Sequence, residues 1–236
     1  MKIIFNFEKK MKTAIIAGDF IGFTVLTEKF RSEIRAEVNK LFDLFTERYD
    51  AYCRLVKGDY VEIVINPQYA FRVVLLLKNR LKTVAAKIPS REMRVKYFKK
   101  IVLRLVVSVG ELEVFDPSGG IIEGEAVYEA GRFLAKEYTH DKKRISIKQS
   151  MFFISSDPHL TKEMDTLFAL TDYILMEHTP KQAAVVYYRL LGMDFSEIAR
   201  RWGVSRESIN ALSIRAGWYH IHKALDYYEY RFQNFQ

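Results

Sequence analysis

One cysteine, Cys53, stands in the whole sequence. A lone cysteine excludes an intramolecular disulfide and a zinc cluster built on several thiolates, and it fits a reducing compartment. Its neighbours are apolar, so Cys53 reads as an inert core thiol rather than a nucleophile. Long apolar runs are missing as well. None approaches the ~18–20 residues of a membrane-crossing helix. The opening stretch MKIIFNFEKKMKTAIIAG has the outline of a signal peptide, but Glu8, Lys9, Lys10 and Lys12 break its apolar pieces and no small-residue cleavage site follows. A cytoplasmic location without membrane contact is therefore expected. Several chemical signatures are absent too: no G-x-x-x-x-G-K-S/T loop, no H-E-x-x-H pair and no nucleophile elbow, which argues against the enzyme classes built on them. There is no internal repeat and no low-complexity segment.

What is present is a core. Hydrophobic residues make up 49% of the chain and charged residues 28%, the balance of a globular protein. The net charge of +8 is unevenly placed. Residues 1–155 carry 28 Lys and Arg against 19 Asp and Glu, with a basic stretch at SREMRVKYFKK, whereas residues 156–236 carry 9 against 10. Any nucleic-acid reading of the second part must rest on pattern rather than on net charge.

The hydrophobic period divides the chain. Apolar TAIIA (Thr13–Ala17) reads as a buried strand, and Phe30, Ile34, Val38, Leu41, Leu44, Phe45 and Tyr49 recur at helical spacing. YCRLV and YVEIVI form a strand pair with Lys57, Gly58 and Asp59 between them. Pro67 opens a helix, IVLRLVVSVGELEV is a strand, EAVYEAGRFLAKEY a helix and RISIKQSMFFIS a closing strand. Strands alternating with helices predict an α/β sandwich over residues 1–156. From Asp157 and Pro158 onward the pattern is helical, giving a second, all-α unit over 157–236.

Two aspartates raise the chemical question. Asp19 follows the first strand, Asp59 sits between the next two, and each comes directly after a glycine. A carboxylate at the end of a buried strand needs compensation. It can cap a turn, or the two can converge on a hard cation such as Mg²⁺ or Mn²⁺, with Gly18 and Gly58 letting backbone approach a phosphate. The stretch D-x-x-G-F-T at Asp19–Thr24 resembles the first-strand motif of class III nucleotidyl cyclases. KGDYV resembles that family's second metal-binding turn, and GEAVYEAGR (Gly124–Arg132) its G-D-x-V-N-x-A-x-R segment. The resemblance implies a ferredoxin-like, cyclase-like α/β sandwich. It implies metal ligands at Asp19 and Asp59, a triphosphate cradle at Gly22, Phe23, Thr24 and Gly58, and a transition-state arginine at Arg132. Arg132 also reads as a surface arginine on an amphipathic helix. Tyr128, Leu55 and Glu125 depart from the family's nucleotide-orienting and base-reading residues. The site therefore looks degenerate.

The stretch Thr179–Gly217 carries the most specific pattern. Counting from Phe195, Ala199 is fifth, Gly203 ninth and Ile209 fifteenth, which are the small, turn and apolar places of a helix-turn-helix, with Ile198, Trp202, Val204 and Leu212 apolar around them. Ser205 can cap the second helix, leaving Arg206, Glu207, Ser208, Asn210 and Arg215 outward. Arg and Asn suit guanine and adenine edges, while Arg200, Arg201 and Arg206 suit phosphates. This segment resembles the promoter-reading region of sigma factors, and it can equally serve protein contacts alone. The aromatic tail reads as packing or dimerisation. As a whole the chain resembles the SatD family, which joins a degenerate cyclase-like region to a sigma-like helix-turn-helix. The leading expectation is a homodimeric DNA-binding regulator whose first part takes a nucleotide with Mg²⁺ or Mn²⁺, or only dimerises. An active cyclase with atypical base recognition and a non-catalytic interaction module are the alternatives.

Overall fold

The structure, a computed structural model, describes residues 12–85, 102–136 and 148–233. The basic stretch Ser90–Lys100 and the first residues of the expected closing strand lie outside them.

A five-stranded sheet organises the chain, in the order β2-β3-β1-β4-β7. Its central strand β1 (Lys12–Ile21) is antiparallel to β3 (Tyr60–Ile65) on one side and to β4 (Val102–Glu111) on the other. β2 (Tyr52–Val56) borders β3, and β7 (Met151–Ser155) runs parallel to β4. With α1 (Glu28–Tyr49) between β1 and β2, and α2 (Pro67–Ala85) between β3 and β4, the order is β-α-β-β-α-β, the ferredoxin-like arrangement. A two-stranded hairpin, β5 (Val114–Asp116) and β6 (Ile121–Glu123), and the helix α3 (Glu125–Lys136) come before β7.

Strand alternation sorts side chains between two faces. Ala14, Ile16, Phe20, Val61, Ile63, Leu105 and Val107 face α1 and α2. Ile15, Ala17, Val64 and Val106 face α3, where Ala126, Ala130 and Leu134 close over them with Leu112 and Ile122. Leu55, paired with Val61 in register, belongs to the α1/α2 side. Cys53 also sits on that side, where burial pushes its thiol up to about 12, as suits an inert core group.

The second part of the chain is helical: α4 (Pro158–Glu177), α5 (Pro180–Leu190), α6 (Phe195–Trp202), α7 (Arg206–Arg215) and α8 (Trp218–Phe232). The change at residue 157 is a change of secondary structure, and the hydrophobic core does not divide there. Residues of α2, β7, α4, α5 and α8 share one cluster. Phe71 stacks on Phe168 at 4.6 Å and meets Tyr228 at 5.2 Å, while Tyr228 and Phe232 lie 4.6 Å apart. The helix α2 explains the continuity. Its run from Val73 to Leu77 is fully buried, because the sheet lies on one side and helices on the other.

Polar side chains of α2 reach into the helical part. Arg72 forks onto Glu229 at 2.6 and 2.9 Å and donates to the Leu190 carbonyl at 3.1 Å. Lys82 donates to the carbonyls of Leu175 and Met176 at 2.6 and 2.8 Å, satisfying the end of α4 with a positive charge. Lys78 is buried beside Asp172 at 3.4 Å and donates to the Leu103 carbonyl at 3.0 Å, with Ser150 completing the group.

Candidate functional site

Asp19 is not at a strand end. β1 runs on to Ile21, and Asp19 pairs in register with Tyr60 of β3 and Arg104 of β4. The strand can continue because the charge is compensated. Arg104 forks onto Asp19, Nε to Oδ1 at 2.8 Å and Nη2 to Oδ2 at 3.1 Å. Gly18 serves this junction. A Cβ there would lie 1.9 Å from the Arg104 carbonyl oxygen, so glycine lets β4 approach β1 rather than leaving room for a phosphate.

Cross-strand register extends the polar strip. Arg54 of β2 opposes and ion-pairs with Glu62 of β3, and it also donates to the Gly120 carbonyl of the β5–β6 turn. Tyr60, between the two pairs, is half-buried. Burial pushes its phenol up, helped by the Glu62 and Asp19 carboxylates. The strip is therefore Arg54, Glu62, Tyr60, Asp19 and Arg104, all on the sheet face that α3 covers further along. Asp59 lies in the turn before Tyr60, one step off the cross-strand partner of Asp19. In that turn Lys57 and Gly58 both take left-handed backbone, at φ 52 and 85, and the Gly58 carbonyl accepts from Arg35 at 3.1 Å.

The other expected cradle residues have separate duties. Gly22, at φ 77, starts the 3-10 turn Phe23–Val25. Phe23 is buried, stacks on Phe20 at 5.2 Å and lies beneath the Arg35 guanidinium at 5.4 Å. Thr24 is exposed. Arg132 pairs with Glu129 at 2.6 Å on the outer surface of α3. It lines a cavity of about 260 Å³ with Ser108, Glu125, Phe133 and Thr161. Ser108 lies four residues along β4 from Arg104, roughly 13 Å of strand. Arg132 and the Asp19 strip are thus separate places in one chain.

A site for Mg²⁺ or Mn²⁺ with a nucleoside triphosphate does not fit this arrangement. Both oxygens of Asp19 are taken by Arg104, and among the described residues no group of three or more His, Cys, Asp or Glu gathers to hold a metal ion. Arg104 and Glu62 are absent from the expected site residues. Their signal was the one used for Asp19, a charge inside a strand otherwise apolar enough to be buried.

The second site lies on α6 and α7. Asp194 and Glu197 form a reciprocal capping box at the start of α6, with bonds of 2.8 and 2.6 Å. Gly203, at φ 65, ends α6 in the left-handed conformation, and Ser205 accepts from the Ser208 N–H at 3.2 Å to start α7. Ile198, Ala199 and Ile209 are buried together with Val185 of α5, and Trp202 and Leu212 pack against them. Val204 is exposed rather than filling an apolar place. Only Ile209 and Ser213 of α7 are buried. Arg200, Arg201, Ser205, Arg206, Glu207, Asn210 and Arg215 are all exposed, and the Arg201 guanidinium lies over the Tyr188 ring at 5.2 Å.

The sheet order and helix placement define a ferredoxin-like α+β protein carrying a helical extension. No protein-family profile and no curated protein sequence matches the chain. Among solved structures it is similar to a bacterial light-regulated adenylyl cyclase, at 15% identity and TM-score 0.44, over 61% of this chain and 43% of that one. It is also similar to an adenylate/guanylate cyclase/hydrolase from Silicibacter pomeroyi, at 20% identity and TM-score 0.42, over 55% and 72%. A third is the adenylyl cyclase CyaB from P. aeruginosa, at 16% identity and TM-score 0.39, over 54% and 72%. The chain spans less than half the length of the light-regulated cyclase. Among the described residues no helix is long and apolar enough to cross a membrane.

Proposed function

We propose that the protein is a cytoplasmic DNA-binding regulator that reads DNA with α6 and α7. The observation that supports this most is the exposure of α7. A helix held to its neighbours by Ile209 and Ser213 leaves Arg206, Asn210 and Arg215 outward, with Arg200 and Arg201 beside them on α6. From Phe195 to Arg215 there are four arginines against two glutamates, a local positive excess hidden by the near-neutral total of residues 156–236. Asn210 and Arg215 are suited to base edges, and Arg200, Arg201 and Arg206 to phosphate. In this reading the sheet-bearing part takes a nucleotide ligand or only pairs two chains. A ligand that prefers one arrangement of the dimer shifts its DNA affinity through the populations of the two.

The test is a fluorescence titration of the full chain against a mixed-sequence DNA duplex at several salt concentrations. Affinity falls with a log–log slope of about −0.9 per phosphate neutralised. Replacing Arg200, Arg201 and Arg206 with alanine should flatten that slope by up to about 2.7. Absence of binding at low salt, or a slope indifferent to the three substitutions, rejects the reading.

A second reading is a nucleotidyl cyclase with atypical base recognition. It is supported by a carboxylate, Asp19, on a partly open sheet face near a tight glycine turn at Gly58. The Arg104 fork on that carboxylate weighs against it. Incubation with ATP or GTP and Mn²⁺, followed by product separation, decides it: a cyclic nucleotide lost in Asp19→Ala establishes the activity, and no product removes it.

A further inference from the structure

We propose that Arg104 is the resident cation of the Asp19 site and closes it to divalent metal. The inference stands apart from the DNA-reading proposal, since it concerns only the sheet. β1 and β4 hold Asp19 and Arg104 opposite one another, so the pair forms without either side chain having to search for the other. Each carboxylate oxygen receives its own N–H, at 2.8 and 3.1 Å. The Arg104 side chain is 14% exposed and that of Asp19 38%, so the pair is shielded on the arginine side. The guanidinium fork sits on both oxygens of this carboxylate, so a divalent ion approaching them meets a positive charge.

The rest of the strip carries the same arrangement. Glu62, the other carboxylate on this face, is held by Arg54. Both acids of the strip are thus paired with arginines from neighbouring strands, and the strip is neutral within itself. Hard cations need several oxygens at once. Both oxygens of Asp19 and Oε2 of Glu62 already accept from arginines, and among the described residues no group of three or more His, Cys, Asp or Glu gathers to hold a metal ion. Arg104 is the positive charge that stands where a cation would approach Asp19.

Electron paramagnetic resonance of free Mn²⁺ titrated with the full chain tests this, using Mn²⁺ alone as the probe. The wild type should take up no Mn²⁺ in a manner that depends on Asp19. Arg104→Met should bind Mn²⁺ at least tenfold more tightly than wild type, and the gain should vanish when Asp19→Asn is added. Arg104→Gln, which keeps a polar group on the strand, repeats the measurement should the methionine variant fail to fold by circular dichroism. Wild-type binding that disappears in Asp19→Asn alone overturns the proposal, and this comparison needs no Arg104 variant. Folded Arg104 variants that gain no Asp19-dependent binding overturn it equally.

Discussion

Acidification below pH 6.5 should cost the fold stability through one imidazole, that of His178. This residue follows α4 and is buried, with Nε2 donating to the Ala216 carbonyl at 2.8 Å and the other ring nitrogen turned toward Asn79 of α2. Burial, reinforced by the nearby Lys82 ammonium, lowers its pKa from 6.5 to about 4, against the pull of the Ala216 carbonyl. The folded site accepts the neutral ring. Between pH 6.5 and about 4 the unfolded chain binds a proton that the folded chain does not, so stability falls as pH falls across that window. Above 6.5 the contribution is fully present, and below about 4 it is gone. At 1.36 kcal/mol per unit the whole effect amounts to about 3 kcal/mol, a large part of a typical folding free energy. Urea unfolding of wild type and His178→Gln at a series of pH values isolates it, because every other titrating group is common to both. The glutamine variant starts less stable, and its curve should be flatter by about 2–3 kcal/mol between pH 7 and 4. Parallel curves would show that the imidazole is not held neutral, and the account of this contact between α2, α4 and the α7–α8 turn would fail.

Two further outcomes follow from single atoms. Gly18→Ala places a methyl 1.9 Å from the Arg104 carbonyl oxygen and 2.8 Å from Leu105 Cδ2. Neither β1 nor β4 can retreat without losing ladder bonds, so the loss should be about 3 kcal/mol by chemical denaturation, and a neutral result would mean the strands can separate locally at little cost. The Tyr228 hydroxyl is fully buried and has no hydrogen-bond partner among the described residues. Tyr228→Phe should therefore raise stability, by about 1 kcal/mol in a thermal melt, and a clear loss would reveal a partner for that hydroxyl.

Elements with a regular period are legible in the sequence, and a contact that depends on register is not. The helical spacing of Ile34, Val38, Leu41 and Phe45 is the buried edge of α1, and YCRLV and YVEIVI are β2 and β3 with the turn between them. Ala199 and Ile209 are buried and Gly203 ends α6 in the left-handed conformation, features that depend on local sequence. The strand expected over Ile101–Val114 ends at Glu111, and Val114 belongs instead to the hairpin β5–β6. Composition did not reveal that break, since the apolar alternation continues through it. The partner of Asp19 lies 85 positions away on β4. Only the register of two strands brings Arg104 to it, and a linear pattern carries no record of register between distant segments. Leu55 obeys the same register, as its pairing with Val61 turns it toward the helices while its neighbour Arg54 faces the strip.

The burial of α2 on every side has a practical consequence. A fragment ending near residue 156 would strip α4, α5 and α8 from Phe71 and its neighbours, and would leave Arg72 and Lys82 without the groups they bind. Such a piece exposes a broad greasy surface in water and invites aggregation. A fragment beginning there lacks the helix its aromatic residues pack against. The two parts are therefore best made and purified together, and a change in α2 chosen to alter one of them will be felt in the other.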